Sequence, residues 1–300
     1  MDKKLKIGVF GARRGRGLAQ GLTLTDKAYI SAVCDYDEST YDNIKPFCCE
    51  ETKYYKDFDE FIDSGMDAVV LTNFFHQHAK YAVIALEKGI HVLSETMPAV
   101  TMAECVQICR ASEKSGAIYM LAENYPQMTF NREITRICRE GSLGKILYAE
   151  GEYNHPGSPW NADFRKTYNY FPEHWRNFLP RTYYITHSLA PIMSATGSFP
   201  KRVTAMPVYA PLPEDCPTAS HVADVAAIIS ILNDDGSVFK VTGCAAFGAH
   251  WNSYRLCCEK GQIENVRGTD KVMLRYNDWQ IPEGREEINF YTPDLQDEDS

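Results

Sequence analysis

The chain has 300 residues, 44% hydrophobic and 24% charged, which is enough for two domains with cores of their own. A formal net charge of −9 argues against a nucleic-acid partner, which would need a basic face. No apolar run approaches the roughly 20 residues that cross a bilayer, and Met1 to Leu5 lead directly into a strand without signal-peptide character, so no membrane partner and a cytoplasmic location are expected.

The first half alternates strand and helix. Lys6-Ile7-Gly8-Val9-Phe10 reads as a strand and runs into a glycine turn, Gly11 to Gly17. Strand, glycine turn and helix make the context of a dinucleotide site, with a pyrophosphate on N–H groups at the helix start. Arg13 stands where the fingerprint has its second glycine. The next strand, Tyr29 to Cys34, ends in Asp35. A carboxylate about 20 residues past the turn suits ribose hydroxyls and therefore NAD. Arg13, Arg14 and Arg16 pull towards a 2′-phosphate, but the acidic strand end carries more weight. A short helix is expected over Phe58–Ser64 and a buried strand over Asp67–Leu71, ending at Thr72-Asn73. His78 to Lys88 is amphipathic, with Gly89 as its cap. A strand then enters Ser94-Glu95-Thr96-Met97-Pro98. The helix Met102–Ser115 and the strand Ile118–Leu121 follow, and the latter leads to Glu123-Asn124. This order predicts a doubly wound parallel sheet over residues 1–124, with its ligand edge at the strand C-termini.

Residues 125–300 read as an α+β domain with a mainly antiparallel open sheet. Helix is expected over Arg132–Glu140 and an alternating strand over Ile146–His155. The irregular stretch 156–176 is rich in aromatic and polar residues, a composition suited to a carbohydrate. Arg181 to Pro191 precedes a helix and contains Tyr184 and His187. Strands are expected over Arg202–Tyr209, Ala226–Leu232, Val238–Cys244 and Tyr254–Glu259. Asn233-Asp234-Asp235-Gly236 forms a hairpin turn, and Glu259 to Ile263 turns into a further strand. None of the 10 cysteines forms a C-x-x-C pair, so reduced, mostly buried thiols and no metal are expected.

Taken together, these pieces resemble the Gfo/Idh/MocA family of sugar and polyol oxidoreductases. The resemblance rests on the turn at Gly11, Val33-Cys34-Asp35, Thr72-Asn73 with His78, Lys88 to Glu95, and Glu123-Asn124. It implies NAD as cofactor. Gly11, Arg13, Arg14, Asp35, Thr72, Asn73, His78, Glu95, Thr96 and Asn124 are its expected contacts. It also implies a homo-oligomer, dimer or tetramer, and a small carbohydrate substrate. Family members commonly have Glu-Lys-Pro after this strand, with a catalytic lysine. Here the lysine position is Thr96. One branch matches better, the NAD-dependent glycosidases of glycoside hydrolase family 109. It is similar at Glu95 to Thr101, Glu123-Asn124, Glu150 to His155, and Tyr184 to Pro191. Ser188 and Ala190 replace glycines of that branch. Family members often run further than the acidic tail Asp297–Ser300, so either an absent terminal helix or a truncated sequence is expected.

That branch implies a catalytic set of Glu123, Tyr153, Tyr184 and His187. Its chemistry is oxidation at C3, proton loss at C2, elimination, hydration and reduction, with Tyr153 as the C2 base. An unperturbed histidine titrates near 6.5 and a tyrosine near 10, so His187 is the base at neutral pH, and a tyrosine serves only beside a cation. Three readings follow: an NAD-dependent oxidoreductase acting at C3 of a sugar or glycoside, a redox-neutral glycosidase, and a non-catalytic NAD- or sugar-binding sensor.

Overall fold

The computed structural model describes residues 3–156, 175, 179–209, 224–245 and 247–294. Most of the aromatic stretch expected to meet carbohydrate, and the acidic tail, lie outside these residues. The chain divides into two compact units, Met1–Ala122 and Glu123–Ser300.

In the first unit, six strands lie parallel: β1 (Leu5–Phe10), β2 (Ala28–Cys34), β3 (Lys53–Tyr55), β4 (Ala68–Leu71), β5 (His91–Ser94) and β6 (Tyr119–Leu121). Their order is β3-β2-β1-β4-β5-β6, so the winding reverses between β1 and β4. Helices α1 (Ala12–Leu22), α2 (Tyr41–Ile44), α3 (Phe58–Ile62), α4 (His78–Glu87) and α5 (Met102–Ser115) connect them. The central strands β1 and β4 are continuous apolar runs because both faces are covered. Ile7 and Val9 of β1 join Val33 and Ile44 in one core, whereas Phe10 joins Phe58, Phe61 and Leu86 in the other. Local chemistry starts the helices where the fold needs them. The Asp57 side chain accepts from the Asp59 and Glu60 N–H groups, and Thr101 and Glu104 form a reciprocal capping box at α5. Strand β3 is not evident in the sequence because Lys53-Tyr54-Tyr55 is a short edge with no apolar run.

The second unit carries α6 (Thr129–Glu140), β7 (Ile146–Asn154), α7 (Thr186–Thr196), β8 (Pro200–Tyr209), β9 (Asp224–Asn233), β10 (Val238–Ala245), β11 (Trp251–Cys258), β12 (Gly261–Asn265), β13 (Val272–Tyr276) and β14 (Ile288–Tyr291). The eight strands are ordered β14-β13-β12-β11-β7-β10-β9-β8. Pairing is antiparallel except between β7 and β10. One face buries Ala149, Phe239, Tyr254, Leu256 and Ile263 with Ile134 and Ile137 of α6 and Ile192 of α7. Across the other face, Lys240, Glu150, Arg255 and Glu264 stand in register on neighbouring strands, and Glu150 pairs with both Lys240 and Arg255. The expected hairpin is present: Asn233 N–H donates to the Ser237 carbonyl at 3.0 Å. Helix α6 starts at Thr129, one turn before the sequence suggests, and β13 and β14 are additional strands. The cysteine expectation needs correction. The nine described cysteines are free thiols, but only Cys34 and Cys244 are buried.

Candidate active site

The first unit presents its polar groups at the C-terminal ends of β1, β2, β4 and β5. Gly11 turns the chain from β1 into α1 with φ of +101°. A Cβ there would lie 2.5 Å from the Thr72 carbonyl carbon, so both the conformation and the space demand glycine. Thr72 is buried, and its hydroxyl lies 2.8 Å from the carbonyl oxygens of Phe10 and Gly11. It braces the turn instead of facing outward. Asp35 accepts from Ala12 N–H at 2.8 Å and Asp37 N–H at 3.0 Å, one bond on each carboxylate oxygen. Each oxygen has a second lone pair, so the carboxylate can also accept from a ribose. The first turn of α1 contains no acidic residue to repel a phosphate. These groups fit a dinucleotide: Gly11 and the start of α1 for the pyrophosphate, Asp35 for the ribose.

Arg14 and Glu95 are joined. Glu95 Oε1 accepts from Arg14 Nε at 2.6 Å and from Nη2, while Thr96 Oγ1 donates to Glu95 Oε2 at 3.3 Å. Arg13 is exposed and, after the Ser39 hydrogen bonds, helps hold the Asp37 carboxyl below its usual range. Asn73 is half-buried, and its carbonyl lies 3.0 Å from His78 Nε2. His78 itself is 1% exposed, and its Nδ1 lies 3.0 Å from the Met97 carbonyl. Burial holds its pKa low, against the pull of those two carbonyls. The expectation of a cofactor contact at His78 is therefore corrected. Its polar atoms face the protein, and it ties the β4 loop to the β5 loop. Asn124 falls in the second unit and is exposed.

The second unit contains a buried acid–base pair. Glu123 and His187 are 64 residues apart in the chain. Their side chains are each 6% exposed, and His187 Nδ1 lies 2.7 Å from Glu123 Oε1. Tyr125 N–H donates to the same oxygen at 3.0 Å. Burial opposes ionisation of Glu123, but the His187 hydrogen bond and charge, the Thr186 hydroxyl and the Tyr125 N–H outweigh it and hold the carboxyl below its ordinary value. An ionised Glu123 takes the Nδ1 hydrogen and leaves Nε2 as the basic nitrogen.

Tyrosine rings enclose the imidazole. Tyr125 stacks on it at 3.9 Å between centroids, and Tyr153 and Tyr184 meet it edge-on at 4.9 and 4.7 Å. Trp175 stacks on Tyr184 at 5.7 Å. His155 and His250 flank the far side of Tyr153, at 5.8 and 6.3 Å. Tyr153 is the C2 base that the resemblance implies. Burial, then the neighbouring Tyr125, Cys244 and Tyr184, push its pKa far above the ordinary tyrosine value. In these surroundings the Tyr153 hydroxyl serves as a base only beside a cation, whereas the Glu123–His187 pair is already joined by a hydrogen bond.

Two further residues seat His187. The Tyr254 hydroxyl donates to the His187 carbonyl. Gly151 of β7 lets the first turn of α7 approach: a Cβ there would lie 1.9 Å from the Ser188 carbonyl oxygen. Arg181, 9% exposed, ties the ends of β7 and β10 together by donating to the carbonyls of His155 and Cys244. Tyr125, Tyr254 and Gly151 are not among the site residues expected from the sequence. An isolated glycine in an alternating strand is a usable signal of close approach. Tyr254 and Tyr125 carry no such mark.

Residues 5–123 match the family model "Oxidoreductase family, NAD-binding Rossmann fold". Glycosyl hydrolase family 109 protein 5 from Phocaeicola vulgatus is 28% identical over 64% of this chain and 39% of that protein. An alpha-N-acetylgalactosaminidase from Shewanella oneidensis is 22% identical over 63% of this chain and 43% of its own length. The match thus spans about two fifths of these curated relatives. Levoglucosan dehydrogenase in complex with NADH and levoglucosan superposes with a TM-score of 0.79 at 19% identity, covering 97% of this chain and 80% of the other. Myo-inositol 2-dehydrogenase from Lactobacillus plantarum gives 0.71 at 18% identity, over 98% and 83%. These two likenesses show the shared fold. The glycine turn, Asp35, the strand order and the family match agree: residues 5–123 match the NAD-binding Rossmann domain of the Gfo/Idh/MocA oxidoreductases, and the chain is similar over about two thirds of its length to glycosyl hydrolase family 109 proteins.

Proposed function

We propose that this protein is an NAD-dependent oxidoreductase acting on a secondary hydroxyl, at C3, of a sugar or glycoside. The observation that carries this reading is the buried Glu123–His187 pair inside a cage of tyrosine rings. NAD, when bound, would supply the acceptor for a hydride from the carbinol carbon. His187 Nε2 takes the hydroxyl proton, and Glu123 holds the tautomer and stabilises the imidazolium. Tyr153, kept protonated, donates a hydrogen bond to a substrate oxygen, and the ring faces suit the C–H faces of a sugar. With Thr96 at the family's lysine position, this pair supplies the base.

The test is incubation of the purified protein with NAD⁺ and a panel of sugars and aryl glycosides, reading NADH absorbance and released aglycone. Wild type should turn over, and His187→Ala should not. Failure to bind NAD(H) would overturn the reading. Binding without turnover on any substrate would instead support a sensor.

A redox-neutral glycosidase is the second reading, favoured by the family 109 relatives. Here His187 takes the O3 proton and a second base, Tyr153 by the resemblance, takes the C2 proton. Hydrolysis in deuterated water should then place deuterium at C2 of the released sugar, and retention of hydrogen there would exclude it.

A further inference from the structure

The chemistry above makes no use of the ion pair between Arg14 and Glu95. Arg14 lies on the first turn of α1, three residues after Gly11, and Glu95 follows β5. Strand β4 stands between β1 and β5. The pair therefore crosses the end of β4, at the switch point between β1 and β4 where doubly wound sheets take dinucleotides. Its two ends differ in character. The Glu95 side chain is 14% exposed, its N–H donates to the Leu71 carbonyl at 2.9 Å, and the Thr96 hydroxyl holds its second oxygen. The Arg14 side chain is 68% exposed. One end is anchored in the sheet edge, and the other reaches over it from the helix.

We infer that Arg14 is a latch and Glu95 its keeper. The latch opens to admit the dinucleotide and closes across it, so that the cofactor leaves slowly and stays through successive turnovers. This inference rests on the NAD reading. A guanidinium suits the task because its planar fork of donors can serve a carboxylate and a phosphate together, which an ammonium does less well. Thr96 is part of the device. A lysine at that position would set an ammonium beside Glu95 and compete for its carboxylate. Threonine donates a hydrogen bond without a charge and leaves the carboxylate to Arg14.

The experiment is displacement of bound NADH by excess NAD⁺, followed by fluorescence, on wild type, Arg14→Met, Glu95→Gln, the double variant and Thr96→Lys. Each single removal should raise the NADH release rate by about tenfold, the scale of one charge-assisted contact. The double variant should release no faster than either single one, because the two residues act as one unit. Thr96→Lys should fall between wild type and Arg14→Met. Wild-type release should quicken with ionic strength and Arg14→Met should not, since the pair is partly exposed and screened by salt. NADH release unchanged in both single variants would overturn the latch while leaving the NAD reading intact. Absence of any NADH fluorescence enhancement in wild type would overturn both.

Discussion

The two units position functional groups by opposite means. At the edge of the first sheet, the groups come from consecutive strand ends in chain order, and several act through backbone. Gly11 shapes a turn, Ala12 N–H meets Asp35, and Thr72 braces the whole from one strand over. In the second unit the site is made of side chains gathered from Glu123, the end of β7, the first turn of α7 and the start of β11. A backbone-built edge tolerates variation in most side chains. A side-chain-built site depends on each residue that seats it.

That contrast can be broken at several points. The largest effect is expected from His187→Ala, which should lower kcat by about 10² to 10⁴, the usual contribution of a positioned acid–base group. The NAD dissociation constant should stay unchanged, as titration of the cofactor would show. If both fall together, the two units do not divide the work as described. Gly151→Ala should cost about 3 kcal/mol of stability, since the new Cβ would sit against the Ser188 carbonyl and push α7 away. Denaturant unfolding gives that number. A variant of wild-type stability would mean that the close approach does not hold His187.

Smaller effects sharpen the contrast. Tyr254→Phe leaves the buried His187 carbonyl without its side-chain donor and should cost about 1 to 2 kcal/mol. It should lower kcat more than it raises KM, because it moves the base and leaves the substrate surface unchanged. The smallest effect concerns acid. Glu123 has a folded pKa below its unfolded value near 4.3. The stability it contributes is therefore complete above that value and is lost as pH falls through the lower folded one. Melting temperature plotted against pH should fall less steeply below about pH 5 in Glu123→Gln than in wild type. Parallel curves would mean that the carboxyl is not held by His187.

Much of the first unit is legible in the chain itself. Apolar strands of period two or continuous burial, a glycine turn, Asp35 at a strand end and Thr101 with Glu104 at a helix start are local patterns. Local sterics and hydrogen bonding decide them. Strands β3 and β14 are not legible, because short edge strands are held by their neighbours and carry weak apolar signals, and β13, between β12 and β14, is only five residues long. The four residues Glu123, Tyr153, Tyr184 and His187 can be singled out by resemblance, but their mutual distances and burial cannot.

The sequence by itself determined a parallel nucleotide-binding sheet and a second sheet of mostly antiparallel strands. Each follows from residue type and short-range spacing. Only the tertiary structure decided that His187 meets Glu123, that Tyr153 is buried among other rings, that His78 is an internal brace, and that Arg14 is held by Glu95. Those outcomes depend on burial and on which distant side chains come within hydrogen-bond reach, and a linear chain does not carry that information in any single stretch.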